Sequence, residues 1–143
     1  MRWLSFVCAL LMLMNLTACF FEREYLTKEE IFRLVEDNEE LLLASVQSGD
    51  FSDVVALDAR ITATAGKVYV DFYCGGRGLS VSGCDYGFYY SEDDLPLVCH
   101  SWVNSDDALQ AQGKGWYKQE ADGGDRYYTE RIVACFYYYE STF

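Results

Sequence analysis

The chain has 143 residues, with 11 Lys and Arg against 23 Asp and Glu and a formal net charge of −12. That balance argues against nucleic acid, whose phosphates would repel it, and against electrostatic adhesion to anionic lipid. It fits a soluble head held off a negatively charged envelope, with a cationic partner as the narrower alternative. Aromatic residues make up 17% and Pro96 is the only proline, so little disorder and one core-forming domain are expected.

In chain order, Met1-Arg2 is followed by Trp3–Leu16, a 14-residue apolar stretch interrupted only by Ser5 and Asn15. A bilayer span takes about 20 residues, so this run is short for one. It has the length of a signal-peptide apolar region. It ends in Leu16-Thr17-Ala18-Cys19, which resembles the lipobox of bacterial lipoproteins. That resemblance implies that residues 1–18 are a removed signal peptide. Cys19 would then be acylated, palmitate included, as the first mature residue, with the chain on the extracytoplasmic face of the cell membrane. Ordinary cleavage near Ala18 and an uncleaved anchor running to Phe21 are the other outcomes such a segment allows. Arg2 is the only charged residue of the first 18, so cleavage takes the formal charge from −12 to −13. Residues 19–26 are then a short tether, and residues 27–143 a single domain.

Thr27 followed by Glu30 is a capping box, and Leu26 with Ile31 suits the hydrophobic staple. Ile31, Leu34, Val35, Leu42 and Val46, with Leu41 nearby, recur at helical spacing, and Gly49 suits the C-cap. These signals predict one helix over Lys28–Gln47, with Glu29, Glu36, Glu39 and Glu40 on its solvated side. From Arg60 onward the pattern changes. Ile61–Thr64 and Lys67–Cys74 read as a hairpin around Ala65-Gly66. Val68, Val70 and Phe72 alternate with Tyr69, Asp71 and Tyr73. Tyr86–Tyr90 and Leu97–Val103 are further strands, with one or two helical turns over Ser105–Gln112. Trp116–Glu120 and Arg126–Glu140 flank the turn Asp122-Gly123-Gly124-Asp125. The expected fold is α+β: one N-terminal amphipathic helix packed on an antiparallel sheet of about five or six strands. Arg126–Glu140 is apolar or aromatic on both faces, which suits a central strand. One helix covers one face only. The other, carrying Tyr137 and Tyr139 with Trp102 or Trp116, is expected to be a partly exposed, partner-binding aromatic surface unless loops cover it.

Cys8 lies in the signal and Cys19 is the lipid site. Cys74, Cys84, Cys99 and Cys135 remain, an even number that reads as two disulfides in an exported domain. Four cysteines allow three pairings; Cys74–Cys84 is favoured because the two bracket a glycine-rich stretch, leaving Cys99–Cys135. No C-x-x-C occurs and His100 is the only histidine, so no metal site and no cofactor are expected. The stretch Cys74–Cys84 lacks the G-K-[ST] of a P-loop and the G-x-S-x-G of a nucleophile elbow. It reads as a long hairpin loop, with an anion or ligand contact through Arg77 as the alternative. His100 is assigned to packing or surface, with no catalytic residue expected. Asp93/Asp94 and Asp106/Asp107 are assigned to turns and caps rather than to acid–base chemistry or Ca²⁺.

Asp71-Phe72-Tyr73-Cys74-Gly75-Gly76, Tyr86-Gly87-Phe88-Tyr89-Tyr90-Ser91, Thr129-Glu130-Arg131-Ile132 and Phe136-Tyr137-Tyr138-Tyr139 together resemble a group of uncharacterised small exported proteins of Gram-positive bacteria. That resemblance implies no activity. The function expected from these features is a non-enzymatic, lipid-anchored binding or structural module, with an envelope protein or glycan as partner and no nucleic acid. The alternatives are an envelope-acting enzyme using carboxylates, and a small acidic inhibitor or immunity-type protein that binds a basic partner.

Overall fold

The computed structural model describes residues 25–79, 82–99, 109–120 and 124–143. Three short helices come first: α1 (Lys28–Asp37), α2 (Glu39–Ser48) and α3 (Ser52–Leu57). Seven strands follow: β1 (Thr62–Ala65), β2 (Tyr69–Leu79), β3 (Ser82–Ser91), β4 (Gln110–Gln112), β5 (Gly115–Gln119), β6 (Arg126–Val133) and β7 (Phe136–Thr142). They form one sheet in the order β1-β2-β3-β7-β6-β5-β4, antiparallel at every pair. The chain meanders through β1–β3, crosses to the far edge at β4, and meanders back until β7 closes against β3. The expectation of one helix on five or six strands is therefore corrected to three helices and seven strands.

The helix breaks at Asn38. Its side-chain amide donates to Leu34 O at 2.8 Å, and its own N–H turns back to Val35 O. Asparagine competes for backbone partners in this way, which weakens a helix interior. The apolar ladder Ile31, Val35, Leu42 would have needed an apolar rung at position 38. The capping box is present, with Glu30 N–H donating to Thr27 Oγ1 and Thr27 N–H to Glu30 Oε2. Gly49 closes α2 in the left-handed conformation, φ 72°.

Arg126–Glu140, expected as one strand, is a hairpin turning at Ala134-Cys135, with Val133 opposite Phe136. Cys135 sits at φ 65°, which a non-glycine residue adopts only with support. Asp94, 41 residues away and itself at φ 51°, accepts the Cys135 N–H at 2.8 Å. No local turn residue announces this corner. The glycine-rich stretch is also strand rather than loop: Gly76 pairs with Asp85, Arg77 with Cys84 and Gly78 with Gly83. Its glycines allow close approach. A Cβ on Gly75 would fall 2.2 Å from the Tyr25 ring, and one on Gly76 would fall 2.2 Å from Asp85 Oδ1.

Two cores flank the sheet. On the helix side, Ile31, Val35, Leu42 and Val54 pack on Phe72, Phe88, Phe136 and Tyr138, with the Phe72 and Phe88 rings stacked at 4.6 Å. Burying each such side chain contributes roughly 1.5–3 kcal/mol. The second core is made largely of tyrosine: Tyr89, Tyr127, Tyr137 and Tyr139, with Cys99 and Trp116. Tyr137 and Tyr139 are 1% and 0% exposed, so the expected exposed aromatic surface is corrected to a sealed core.

The segment Asp94–Cys99 lies against this second core and is held there by phenol hydroxyls. Tyr137 OH donates to Asp94 O at 2.7 Å, and Tyr127 OH to Leu97 O at 2.9 Å. Leu97 N–H donates to Tyr89 OH at 2.8 Å, and Tyr69 OH donates to Cys99 O at 2.6 Å. Leu97 and Cys99 therefore satisfy their backbone groups through side chains, and the described part of this segment pairs with no strand. Of the strand expected at Leu97–Val103, Leu97–Cys99 is corrected and 100–103 lie outside the described residues. Of Ser105–Gln112, expected as helical turns, Gln110–Gln112 is strand β4 and 105–108 lie outside the described residues.

Candidate functional site

The helices cover only part of the sheet. Helix α1 packs on β6 and β7, and β5 and β4 extend beyond it. On the helix-side face of this overhang, Gln110 stands opposite Tyr117, and Tyr117 opposite Tyr128. Gln112 and Gln119 share that face by the two-residue period of the strands. Gln110, Gln112 and Gln119 are exposed, and the two tyrosines are half-buried. Gly115 leaves room for Tyr128: a Cβ there would lie 2.8 Å from its hydroxyl and 2.2 Å from Thr129 O. Tyr117 OH donates to Gln119 Oε1 at 3.1 Å.

Between α1 and the turn joining β4 to β5 runs an open groove of about 650 Å³. Lys28, Phe32 and Arg33 form one wall, Gln112 and Lys114 the other, and Tyr128 and Glu130 the floor. Lys28 Nζ lies 2.5 Å from Glu130 Oε2, and Tyr128 OH donates to the same oxygen at 2.8 Å. The Lys28 ammonium is also 5.0–5.4 Å from the ring centroids of Phe32, Tyr128 and Tyr138, within cation–π range. Burial alone would raise the Glu130 carboxyl. The hydrogen bonds from Lys28 and Tyr128 outweigh it and hold the group below its usual range. Burial and the Glu130 carboxylate push the Tyr128 phenol up to about 12. Glu130 is thus a committed anion, suited to an ion pair rather than to donating a proton.

The groove's charges cancel. Lys28, Arg33 and Lys114 stand against Glu29, Glu36 and Glu130, whereas the whole chain carries −12.

Arg77 borders a separate depression of about 200 Å³ floored by Gly76, Gly78 and Gly83. Its walls include Phe143 and Tyr73, whose hydroxyl donates to Asp85 Oδ1 at 3.3 Å. Tyr137 and Tyr139 line neither concavity. The structure therefore does not bring Arg77 together with them. The tyrosines are structural: Tyr137 OH also reaches Asp94 Oδ1 at 3.1 Å, and burial pushes the Tyr139 phenol far up beside the Asp71 carboxylate.

The sulfurs of Cys74, Cys84, Cys99 and Cys135 are unbonded in the structure. Cys74 sits at the bulge opposite Tyr86 and Gly87, while Cys84 faces Arg77. Between two and three residues at ~3.3 Å along the strand, and ~5 Å across it, separate their Cα atoms by roughly 9–10 Å. A disulfide bridges at most about 7 Å, so the register keeps Cys74 and Cys84 apart. Cys99 Sγ is 2.9 Å from Tyr127 Oη, and Cys135 Sγ is 4.0 Å from Glu92 O. Burial raises the Cys74 and Cys99 thiols well above their ordinary value.

Cys19 and its tetrapeptide, Trp102, His100, Asp106 and Asp107 lie outside the described residues. Among the described residues, no group of three or more His, Cys, Asp or Glu is placed to hold a metal ion, and no helix is long and apolar enough to cross a membrane. Asp94 serves a turn, its N–H donating to Ser91 O. Comparison with protein-family models, curated proteins and solved structures finds no match.

Sequence reasoning missed Lys28, Tyr117, Tyr128 and Glu130 as site residues. The alternation Gln110-x-Gln112 and Tyr117-x-Gln119 on either side of Gly113-Lys114 was the available signal. It marks a hairpin with one polar–aromatic face.

Proposed function

We propose that this protein is a lipid-anchored, extracytoplasmic binding module. The observation that carries the anchoring is Leu16-Thr17-Ala18-Cys19 directly after the apolar run Trp3–Leu16. The binding role is supported by the groove between α1 and the β4–β5 turn, whose volume falls in the range of about 300–1,000 Å³ common for ligand sites. The seven residues Phe20–Leu26 reach at most about 25 Å when fully extended, so the tether holds the head close to the bilayer. Lys28, at the start of α1, belongs to the groove wall. The groove therefore opens near the tethered end of the domain.

The test is intact-mass analysis of the protein isolated from its native membrane fraction, with Cys19→Ala as control. An acylated Cys19 at the mature N-terminus, and release of the variant from the membrane, are expected. A native protein that starts at Met1, or that carries an unmodified Cys19, would refute the anchoring.

A further inference from the structure

We infer that the helix-free overhang of the sheet, over β4 and β5 with the border of β6, is a binding face for an uncharged oligosaccharide. This rests on the binding-module reading above and names its ligand class. The face carries the two components that recognise a sugar ring. Half-buried Tyr117 offers aromatic surface to the C–H side of a pyranose, and Tyr128, directly cross-strand with the Lys28 ammonium over its ring, borders it. Gln110 and Gln112 flank Tyr117 with exposed carboxamides, each able both to donate and to accept, as sugar hydroxyl and acetamido groups require, while Gln119 Oε1 holds the Tyr117 hydroxyl.

Alternation accounts for the opposite face, where Trp116 and Lys118 turn toward the tyrosine core. It does not account for a helix-side face made of glutamine and tyrosine. Tyr128 is accounted for by its packing against the helix-side core and Lys28, but Tyr117 lies beyond the helix, where a merely solvated strand face has no need of an aromatic residue. The adjoining groove gives the face a concave border about 650 Å³ in volume.

Charge selects among ligands. The chain's −12 disfavours a polyanion. The balanced groove, with three cations against three carboxylates, offers a basic peptide no local field to follow. An uncharged polar chain meets neither obstacle. An extended peptide would instead join the β4 edge through main-chain hydrogen bonds, largely indifferent to the side chain at Tyr117.

The experiment uses the full chain in detergent micelles, titrated by calorimetry with N-acetylglucosamine tetramer, cellotetraose and maltotetraose. An oligolysine peptide and a heparin oligosaccharide are run in parallel. At least one of the neutral tetrasaccharides should bind, with an affinity unchanged between low and high salt. Tyr117→Ala and Gln112→Ala should each weaken binding at least about tenfold with the melting temperature unchanged. Failure of all three neutral sugars to bind overturns the inference, as does binding that both variants retain. Salt-sensitive capture of oligolysine that Tyr117→Ala abolishes would overturn the glycan class while keeping a binding module at this face. Loss of Cys19 acylation would remove the anchoring without touching the sugar result.

Discussion

Tyr127→Phe tests whether phenol hydroxyls, rather than strand pairing, hold Asp94–Cys99 to the sheet. The substitution keeps the ring, stacked at 6.4 Å on Tyr139, and deletes one oxygen. That oxygen donates to Leu97 O at 2.9 Å and accepts the Cys99 N–H at 3.3 Å. Tyr127 is 0% and Cys99 5% exposed, so water cannot replace it without opening the segment. A buried backbone group left without a partner costs about 1–3 kcal/mol. Two such groups, partly relieved by local adjustment, give a loss of about 2–4 kcal/mol. For a domain of this size that lowers the melting temperature by about 8–16 °C. Urea unfolding gives the stability, and hydrogen exchange gives the location: the Leu97 and Cys99 amides should lose protection before those of β7. Tyr117→Phe is the control, because its hydroxyl meets only the exposed Gln119 side chain; its change should stay within about 0.5 kcal/mol. If Tyr127→Phe matches the wild type in both stability and exchange, the hydroxyls do not hold this segment.

Tyr137→Ser and Tyr139→Ser remove fully buried rings and should each destabilise by about 3–5 kcal/mol in urea titrations, as large core truncations do. Asp94 is held below its ordinary carboxyl value of 3.8 by its hydrogen bonds from Arg131 and from the Cys135 N–H. Its folded-state pKa lies below the unfolded one, so its contribution is full above about pH 4 and fades as pH falls through the folded value. The melting-temperature gap between wild type and Asp94→Asn should therefore be constant near neutrality and close in acid. Lys28→Met leaves the Glu130 carboxylate, 10% exposed, without its cation and should cost about 1–2 kcal/mol, a modest figure because Lys28 itself is 38% exposed; melting of this variant and of Lys28→Met/Glu130→Gln would show recovery in the pair. In timed iodoacetamide labelling of the native domain, Cys84, pushed up to about 11 by burial and Glu140, and Cys135 should react before the deeply buried Cys74 and Cys99. Non-reducing peptide mapping should find no Cys74–Cys84 bond.

What the sequence by itself determined about this protein is local. Thr27-x-x-Glu30 starts a helix and Gly49 ends one, because a capping box and a left-handed C-cap involve residues a few positions apart. The alternation Val70, Phe72 against Tyr69, Asp71 sets which face of β2 meets the helices, since successive strand side chains point opposite ways. Asn38 is a different case: the helical spacing on either side of it reads as one helix over Lys28–Gln47, and the structure divides it there. Tertiary structure alone decided the rest. Ala134-Cys135 turns because Asp94 supports it from a distant loop, and no turn chemistry resides in the dipeptide. Tyr137 and Tyr139 look like surface aromatics until Leu97–Cys99 is seen lying over them. What fastens that segment is a set of hydroxyls, those of Tyr69, Tyr127 and Tyr137 with partners 28–43 residues away and that of Tyr89 with a partner 8 residues away. The candidate site depends on where α1 stops covering the sheet. That limit is set by the order β7-β6-β5-β4, since strand order follows from long-range pairing rather than from any property of a single strand.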